Sequence, residues 1–224
     1  MVKRVVFLML LVVLAMAGWA DSTVNKSIHI AAQRQVAEGV DSVNGAITIG
    51  PGAVIQGDVE TVNGGIDIGR DCRIEGQVET VNGGIDVAPG VKIERGVETV
   101  NGHVELAEGV QVARDVEVVN GRIGLTKVTV EGRVITVNGG IRLHNRTHVH
   151  GGILIRESKG ASFLGWMTGI FGHHHHGKLT IHLSGNSVVE GGIRAEDAHR
   201  EIEVIVDQGS EVQGPVSGVR LIHN

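Results

Sequence analysis

An Asn-Gly dipeptide recurs along this chain at an almost constant interval, and this repeat limits the folds that are open to it. The intervals between successive asparagines are 19, 19, 19, 19 and 18 residues. The six asparagines are Asn44, Asn63, Asn82, Asn101, Asn120 and Asn138. The fullest copies read VETVNGGIDIG, VETVNGGIDVA and VETVNGHVELA. A period of this length is typical of a solenoid, in which each repeat forms one turn.

When the repeats are superposed, aliphatic residues fall into four columns. The first contains Ile28, Ile47, Ile66, Ile85, Val104, Ile123 and Ile141. The second contains Ile30, Ile49, Ile68, Val87, Leu106, Leu125 and Leu143. The third contains Val36, Ile55, Ile74, Ile93, Val112, Val130 and Val149, and the fourth contains Val40, Val59, Val78, Val97, Val116, Val134 and Ile153. Polar residues alternate with them, a pattern of period two that indicates short half-buried strands.

We therefore predict an all-β fold, a single-stranded parallel β-helix of about nine coils with a repeat of about 19 residues. Val149 and Val189 occupy equivalent positions 40 residues apart, which indicates one coil plus an inserted loop, assigned to residues 159–178. Asn-Gly is expected to form a corner, because both residues tolerate positive φ. The asparagine side chains are expected to hydrogen-bond from coil to coil as a ladder.

The first 20 residues have the features of a secretory signal peptide. Lys3 and Arg4 precede an apolar run that is too short to favour a membrane span, and small residues follow it. We expect residues 1–20 to be the signal peptide and 21–224 the β-helix domain, in a periplasmic or secreted bacterial protein. An uncleaved membrane anchor is the alternative interpretation of the leader.

Composition argues against several classes of protein. The net charge of -5 argues against nucleic acid as a partner. A single cysteine, Cys72, provides neither a disulfide framework nor a cysteine zinc site, and we expect it to be buried in an inward column. Aromatic residues make up only 2% of the chain, which fits a narrow tube filled by aliphatic side chains.

The copies of V-x-G-x-V-E-x-V-N-G-G-I-D-I resemble the repeats of bactofilins, which are polymer-forming bacterial β-helix proteins. They also resemble the adhesin-like β-repeat proteins of bacterial envelopes. The resemblance covers about Val36 to Val216, most of the chain after the leader. It implies self-assembly and a structural role, and it implies no catalytic residues. The leader is a departure from bactofilins, which are typically cytosolic.

The insertion differs in composition from the coils, and long loops of this kind are usually functional or disordered. Its apolar residues are candidates for contact with a partner or a membrane surface: Phe163, Leu164, Trp166, Met167, Ile170 and Phe171. The alternative is a lid that packs on its own rod.

Four consecutive histidines follow, and imidazoles suit zinc, copper or nickel. The candidate metal ligands are His173, His174, His175 and His176. The alternative is a polar surface run without a defined site. Four histidines of the neighbouring coils either add ligands or face solvent: His144, His148, His150 and His182. We expect no other cofactor.

Acidic residues form two outward columns, which we expect to be solvated. One column contains Glu60, Glu79, Glu98 and Glu117, and the other contains Asp67, Asp86 and Glu105. Residues 58–117 carry a net charge of -8 and residues 118–194 carry +6. This split favours head-to-tail or antiparallel lateral association, although compositional drift also accounts for it.

The sequence predicts a non-enzymatic, secreted or periplasmic structural or adhesin-like protein. We expect it to self-associate, or to bind an envelope protein, a polysaccharide or a membrane surface, through its loop or its rod ends. The alternative function is a transition-metal-binding envelope protein that uses His173 to His176.

Overall fold

The described strands pair in parallel from one coil to the next, always with the equivalent strand of the neighbouring coil. The structure is a computed structural model that describes residues 25–157, 177–196 and 200–224. Within these residues the chain is all-β, without a helix, and forms a solenoid of nine coils with three faces. The predicted parallel β-helix is confirmed.

The first face is the longest, with ten stacked segments in the described chain. Its strands are β1 (Ile28–Ile30), β4 (Ile47–Ile49), β7 (Ile66–Ile68), β10 (Ile85–Val87), the second halves of β12 (Val97–Leu106) and β14 (Val116–Thr126), β17 (Gly140–His144), β20 (Leu179–Leu183), β23 (Ile202–Val206) and β26 (Arg220–His223). The final strand, β26, pairs in parallel with β23, so the last residues of the described chain add one more strand to this face.

The second face consists of two-residue strands, nine in the described chain. They are β2 (Gln35–Val36), β5 (Val54–Ile55), β8 (Arg73–Ile74), β11 (Lys92–Ile93), β13 (Gln111–Val112), β15 (Thr129–Val130), β18 (His148–Val149), β21 (Val188–Val189) and β24 (Glu211–Val212).

The third face leads into the Asn-Gly corner. Its strands are β3 (Val40–Ser42), β6 (Val59–Thr61), β9 (Val78–Asn82), the first halves of β12 and β14, β16 (Val134–Thr136), β19 (Ile153–Ile155), β22 (Ile193–Ala195) and β25 (Val216–Ser217). Since β12 and β14 continue around this corner, the third and first faces form one sheet.

The four predicted aliphatic columns lie in register along the tube. Ile66 pairs with Ile85, which pairs with Val104. Across the insertion, Ile141 pairs with Ile181, so the 40-residue offset is one coil plus inserted residues, as predicted. Each fully buried aliphatic side chain stabilises the fold by roughly 1.5–3 kcal/mol relative to exposure.

The Asn-Gly corner differs from the prediction in its backbone conformation. Among the six corner asparagines, all of them described, none has positive φ, and of the six glycines that follow them only Gly121 does, so positive φ is not a general requirement of this corner as was expected. The glycines are needed instead because the backbones of adjacent coils approach each other closely at this corner. A Cβ on Gly64 would lie 2.3 Å from the carbonyl oxygen of Gly45, and one on Gly83 would lie 1.9 Å from that of Gly64. Side chains are excluded here because adjacent coils are in backbone contact.

Positive φ occurs in every coil at the corner between the first and second faces, and only in some coils at the other corners, as at Gly152, Gly192 and Gly218. Between the first and second faces the residue types are mixed: Gln33, Gly52, Asp71, Gly90, Gly109, Lys127, Arg146, Asn186 and Gly209. Because five of these nine are not glycine, the sequence gives little sign of this corner.

The predicted asparagine ladder is confirmed. In each step the amide nitrogen of one asparagine donates to the amide oxygen of the asparagine one coil earlier, at 2.8–2.9 Å. The ladder starts at Asn25 and ends at Asn138. Beside it, the hydroxyl of Thr80 donates to the carbonyl oxygen of Gly64 at 2.9 Å. In the T-V-N-G motif the asparagine side chain therefore bonds to another asparagine side chain, and the threonine hydroxyl bonds to a backbone carbonyl oxygen.

Gly64 and Gly65 provide a matched pair for testing close approach at this corner. We expect Gly64→Ala to lower the free energy of unfolding by about 1–3 kcal/mol, because the methyl group meets a backbone oxygen that has no freedom to move aside. A Cβ on Gly65 would lie 3.5 Å from its nearest neighbour, an ordinary contact. Denaturant unfolding followed by circular dichroism measures both variants. Equal losses in both variants would contradict this account of the corner.

Candidate assembly surface

The C-terminal coil leaves the apolar interior of the tube open to solvent. Val216 and Leu221, at 36% and 38% exposure, are the exposed large hydrophobic residues of the described chain. Both occupy inward columns, since Val216 pairs with Ile193 and Leu221 pairs with Val204. In the interior coils the same columns are fully buried. These two side chains are exposed because no strand of the described chain covers them.

The backbone at this end also has unpaired hydrogen-bonding groups. β24, β25 and β26 each pair with a strand of the preceding coil and, in the described chain, with none on the other side. Such an edge is a template for pairing with another chain. Because the first face has one more strand than the other two faces, its last strand, β26, projects beyond them by about 4.8 Å, the spacing between neighbouring strands.

The N-terminal coil presents the same columns at the opposite end. Ile28, Ile30 and Val36 are only partly buried there, although they pack against the core. Ile28 and Leu221 belong to one column, and Val36 and Val212 to another. Aliphatic side chains from matching columns therefore stand at the two ends of the described rod.

The asparagine ladder is closed by a basic side chain. Nη1 of Arg200 donates to the amide oxygen of Asn138 at 3.2 Å and to the carbonyl oxygen of Val137 at 2.9 Å. Its Nε donates to the carbonyl oxygen of Gly177 at 3.0 Å. Arg200 thus occupies the corner position where the next asparagine of the ladder would stand.

A continuous acidic column runs along the outer side of the third face. Asp41, Glu60, Glu79, Glu98 and Glu117 lie in register on successive coils. The expectation that this column is solvated was wrong, because Glu79 and Glu117 are buried, at 7% and 8% exposure. The other predicted column does reach solvent, since Asp67 and Asp86 are exposed.

Burial and like charge together raise the pKa values of this acidic column. Burial, followed by the charges of Glu60 and Glu98, raises the pKa of Glu79 to about 8. Burial is also the main cause at Glu60 and Glu98, whose pKa values are raised to about 7. Near neutral pH the column therefore holds protons that a solvated row of carboxylates would release.

The acidic column ends where the charge of the rod changes sign. Nη1 of Arg156 lies 2.6 Å from Oε1 of Glu117, and both side chains are largely buried. The next outward positions are Ile135, which is fully buried, and Leu154, followed by Arg194. The charge split seen in the sequence is thus also a change along a single structural column.

A shallow groove of about 810 Å³ crosses the first face in the acidic half of the rod. Its floor includes the small residues Gly50, Gly69, Ala88 and Ala107. Three of its acidic residues have basic partners on the next coil. Asp86 lies 3.1 Å from Nε2 of His103, and Glu105 lies 3.0 Å from Nε of Arg122. Glu108 pairs with Lys127.

Several predicted site residues lie outside the described residues. They are the leader, the six apolar contact candidates Phe163, Leu164, Trp166, Met167, Ile170 and Phe171, and the histidine run His173, His174, His175 and His176. Cys72 is buried at 2% exposure, as predicted. Over the described ranges, no helix has the length and apolar character needed to cross a membrane.

Comparison with known proteins identified no relative. No family model matches the chain, and neither the curated proteins nor the solved structures contain a match.

The raised pKa of Glu79 predicts a stability that falls as the pH rises. The folded protein holds this proton up to about pH 8, whereas the unfolded chain releases it near 4.5. Stability is therefore lost between these two pH values. We expect Glu79→Gln to raise the free energy of unfolding by ~2 kcal/mol at alkaline pH and to change it little at pH ~4.

Denaturant unfolding across this pH range measures the effect. Asp67→Asn is the matched control, because it removes an exposed acid from the other column and should change stability by less than ~0.5 kcal/mol. A Glu79→Gln variant with the pH dependence of the unsubstituted protein would rule out a raised pKa at Glu79.

Proposed function

We propose that this chain is a non-enzymatic structural protein of the bacterial envelope, periplasmic or secreted, which self-assembles through the ends of its β-helical rod. The observation that carries the proposal is the open C-terminal coil, with Val216 and Leu221 exposed at the end of a dry core. A second copy of this chain is the partner to which the proposal commits.

Complementarity between the two ends supports a second copy as the partner. Leu221 and Val212 stand at one end of columns that begin with Ile28 and Val36 at the other. A copy stacked on the C-terminal coil would bury aliphatic side chains and pair exposed strand edges in the same step. Both gains are available without any rearrangement of the coils.

The charge distribution supports side-by-side contact in addition. Residues 58–117 carry -8 and residues 118–194 carry +6. Two rods in antiparallel orientation would place each acidic segment beside the basic segment of the other rod. This contribution weakens with added salt, whereas contact between the apolar ends does not.

A structural role also agrees with the resemblance of the repeat to bactofilins and adhesin-like envelope proteins, and with the leader at residues 1–20. The outward acids stand in regular columns set by the coil repeat. Two grooves of the described residues, one on the first face and one near the C-terminal coil, are open to solvent. We therefore assign the surface to contact with other macromolecules rather than to turnover of a substrate.

Sedimentation velocity over a range of protein concentrations tests this proposal. The unsubstituted protein should form oligomers as concentration rises, and Leu221→Lys or Val216→Lys should weaken the association at least ~10-fold by placing a charge in the apolar contact. Both side chains are already exposed, so the coil should tolerate the change.

Ser217→Lys is the matched control, since it adds the same charge next to Val216 on an exposed outward position. It should assemble like the unsubstituted protein. A chain that stays monomeric at every concentration would overturn the proposal. Assembly that is equally sensitive to all three lysines would show that net charge, and not the apolar coil end, controls it.

A further inference from the structure

Two histidines and a glutamate meet on the outer side of the second face, away from both ends of the rod. His148 and His150 flank Val149, which is fully buried in the core. Because side chains alternate along a strand, both imidazoles point outward from the same coil. Glu190 stands beside His150 on the next coil, as the pairing of Val149 with Val189 requires.

The three side chains are already in mutual contact. Nε2 of His148 lies 2.6 Å from Oε1 of Glu190, and Nδ1 of His150 lies 3.0 Å from Oε2 of the same carboxylate. The two rings stack with centroids 4.2 Å apart and 19° between their planes. One potential ligand atom from each residue falls within 4.8 Å of the others.

A second carboxylate approaches from the opposite coil. Oε2 of Glu131 lies 3.8 Å from Nε2 of His150. Three consecutive coils therefore contribute to one cluster, with Glu131 before the histidine coil and Glu190 after it. The backbone holds these positions firmly, because the amide of His150 donates to Val130 at 2.9 Å and that of Glu190 to Val149 at 3.0 Å.

The exposure of the cluster suits the entry of an ion from solvent. Each carboxylate oxygen of Glu190 is already in contact with one imidazole nitrogen. The side chains of His148, His150 and Glu190 are 36%, 36% and 40% exposed, which leaves the cluster open to solvent on one side. An ion could enter without unfolding a coil.

We propose that His148, His150 and Glu190 form a binding site for a divalent transition metal, with Zn²⁺ as the best-fitting ion. Two imidazoles and one carboxylate form a common zinc ligand set with an open fourth position. Calcium and magnesium prefer all-oxygen sites, which the two nitrogen ligands disfavour. The fourth position falls to water. Glu131 lies beside Nε2 of His150, the ring nitrogen that does not face Glu190, and would orient that imidazole as an outer partner.

Side-chain movement alone separates the present arrangement from a tetrahedral site. Ligand atoms ~2.0–2.1 Å from Zn²⁺ lie about 3.3 Å from one another. The contacts between Glu190 and the two imidazoles, at 2.6 and 3.0 Å, must therefore widen by less than 1 Å. The two stacked imidazoles must also turn about their side-chain torsions so that one nitrogen of each points at the ion, while the backbone of the histidine strand stays in place.

Metal binding here would join the chain across its insertion. His148 and His150 precede residues 158–176, and Glu190 follows them. A bound ion would therefore link the coil before the insertion to the coil after it. Because only the folded chain holds these ligands together, binding should raise the midpoint of thermal unfolding.

A second histidine cluster of the described chain lacks this convergence and provides a control. Nε2 of His182 lies 2.8 Å from Oδ2 of Asp207, whereas the ring of His144 meets that of His182 edge-on at 6.0 Å and bonds to Ser184. Removing His182 therefore deletes a histidine paired with a carboxylate, but no member of a three-ligand group.

Zinc titration calorimetry tests the proposal. Because the histidine run is itself a candidate metal site, the measurements use a parent variant in which the run is replaced by serine: His173→Ser, His174→Ser, His175→Ser and His176→Ser. The parent should bind one Zn²⁺ per chain and unfold at a higher temperature with Zn²⁺ than without it. His148→Ala and His150→Ala should each weaken Zn²⁺ binding at least ~100-fold. Loss of an outer-shell partner of a metal ligand already weakens metal binding by up to about 100-fold, and loss of a direct ligand should weaken it at least as much. Glu190→Gln should weaken it in the same direction, and His182→Ala should bind like the parent.

Cobalt absorption and far-ultraviolet circular dichroism complete the test. Co²⁺ bound to the parent should give the strong visible bands of four-coordinate cobalt, and these should disappear in His150→Ala while the β-sheet spectrum stays unchanged. Absence of saturable Zn²⁺ binding by the parent would overturn the proposal, since the cluster would then be a hydrogen-bonded ion pair only. Equal binding by the parent and both histidine variants would overturn it as well.

Discussion

The structure depends on backbone hydrogen bonds that hold each coil in register with the next. The amide of Ile47 donates to Gly65 at 2.9 Å, and that of Ile66 donates to Gly84 at 3.0 Å, one coil further on. Once this register is fixed, every residue lies above its equivalent in the preceding repeat. The aliphatic columns, the amide ladder and the close glycine contacts all follow from this stacking.

The same stacking has opposite consequences for different polar residues. An asparagine carries both a donor and an acceptor, so identical neighbours such as Asn63 and Asn82 satisfy each other. A glutamate carries only acceptors when it is ionised. Burial, and then the charges of Glu60 and Glu98, therefore raise the pKa of Glu79. A repeat protein therefore tolerates an acidic column only where solvent, a base or protonation removes the repulsion, and Arg156 does this for Glu117.

Along the length of a stacked rod the strands are paired on both sides and the inward side chains are buried, whereas at its ends the strands are paired on one side only. The two proposals concern these separate regions. At the C-terminal end, Leu221 lacks the covering coil that buries its equivalents, so self-association completes a pattern already present within the chain. The histidine cluster lies on the outer side of the interior coils. There the same register that builds the core brings His150 and Glu190 together.

The sequence alone determined the coil length, the inward columns, the asparagine ladder and the 40-residue offset across the insertion, because a period in sequence becomes a translation in space once coils stack. It did not determine which corner has positive φ in every coil, since Gln33, Asp71 and Lys127 carry no common signal for that conformation. Nor did it determine that Glu79 is buried. The alternation of apolar and polar residues shows that this side chain points to the outer side of the strand, but it does not show whether other residues cover it there. The convergence of His148, His150 and Glu190 also needed the tertiary structure, because each ligand's distance depends on side-chain direction as well as on register.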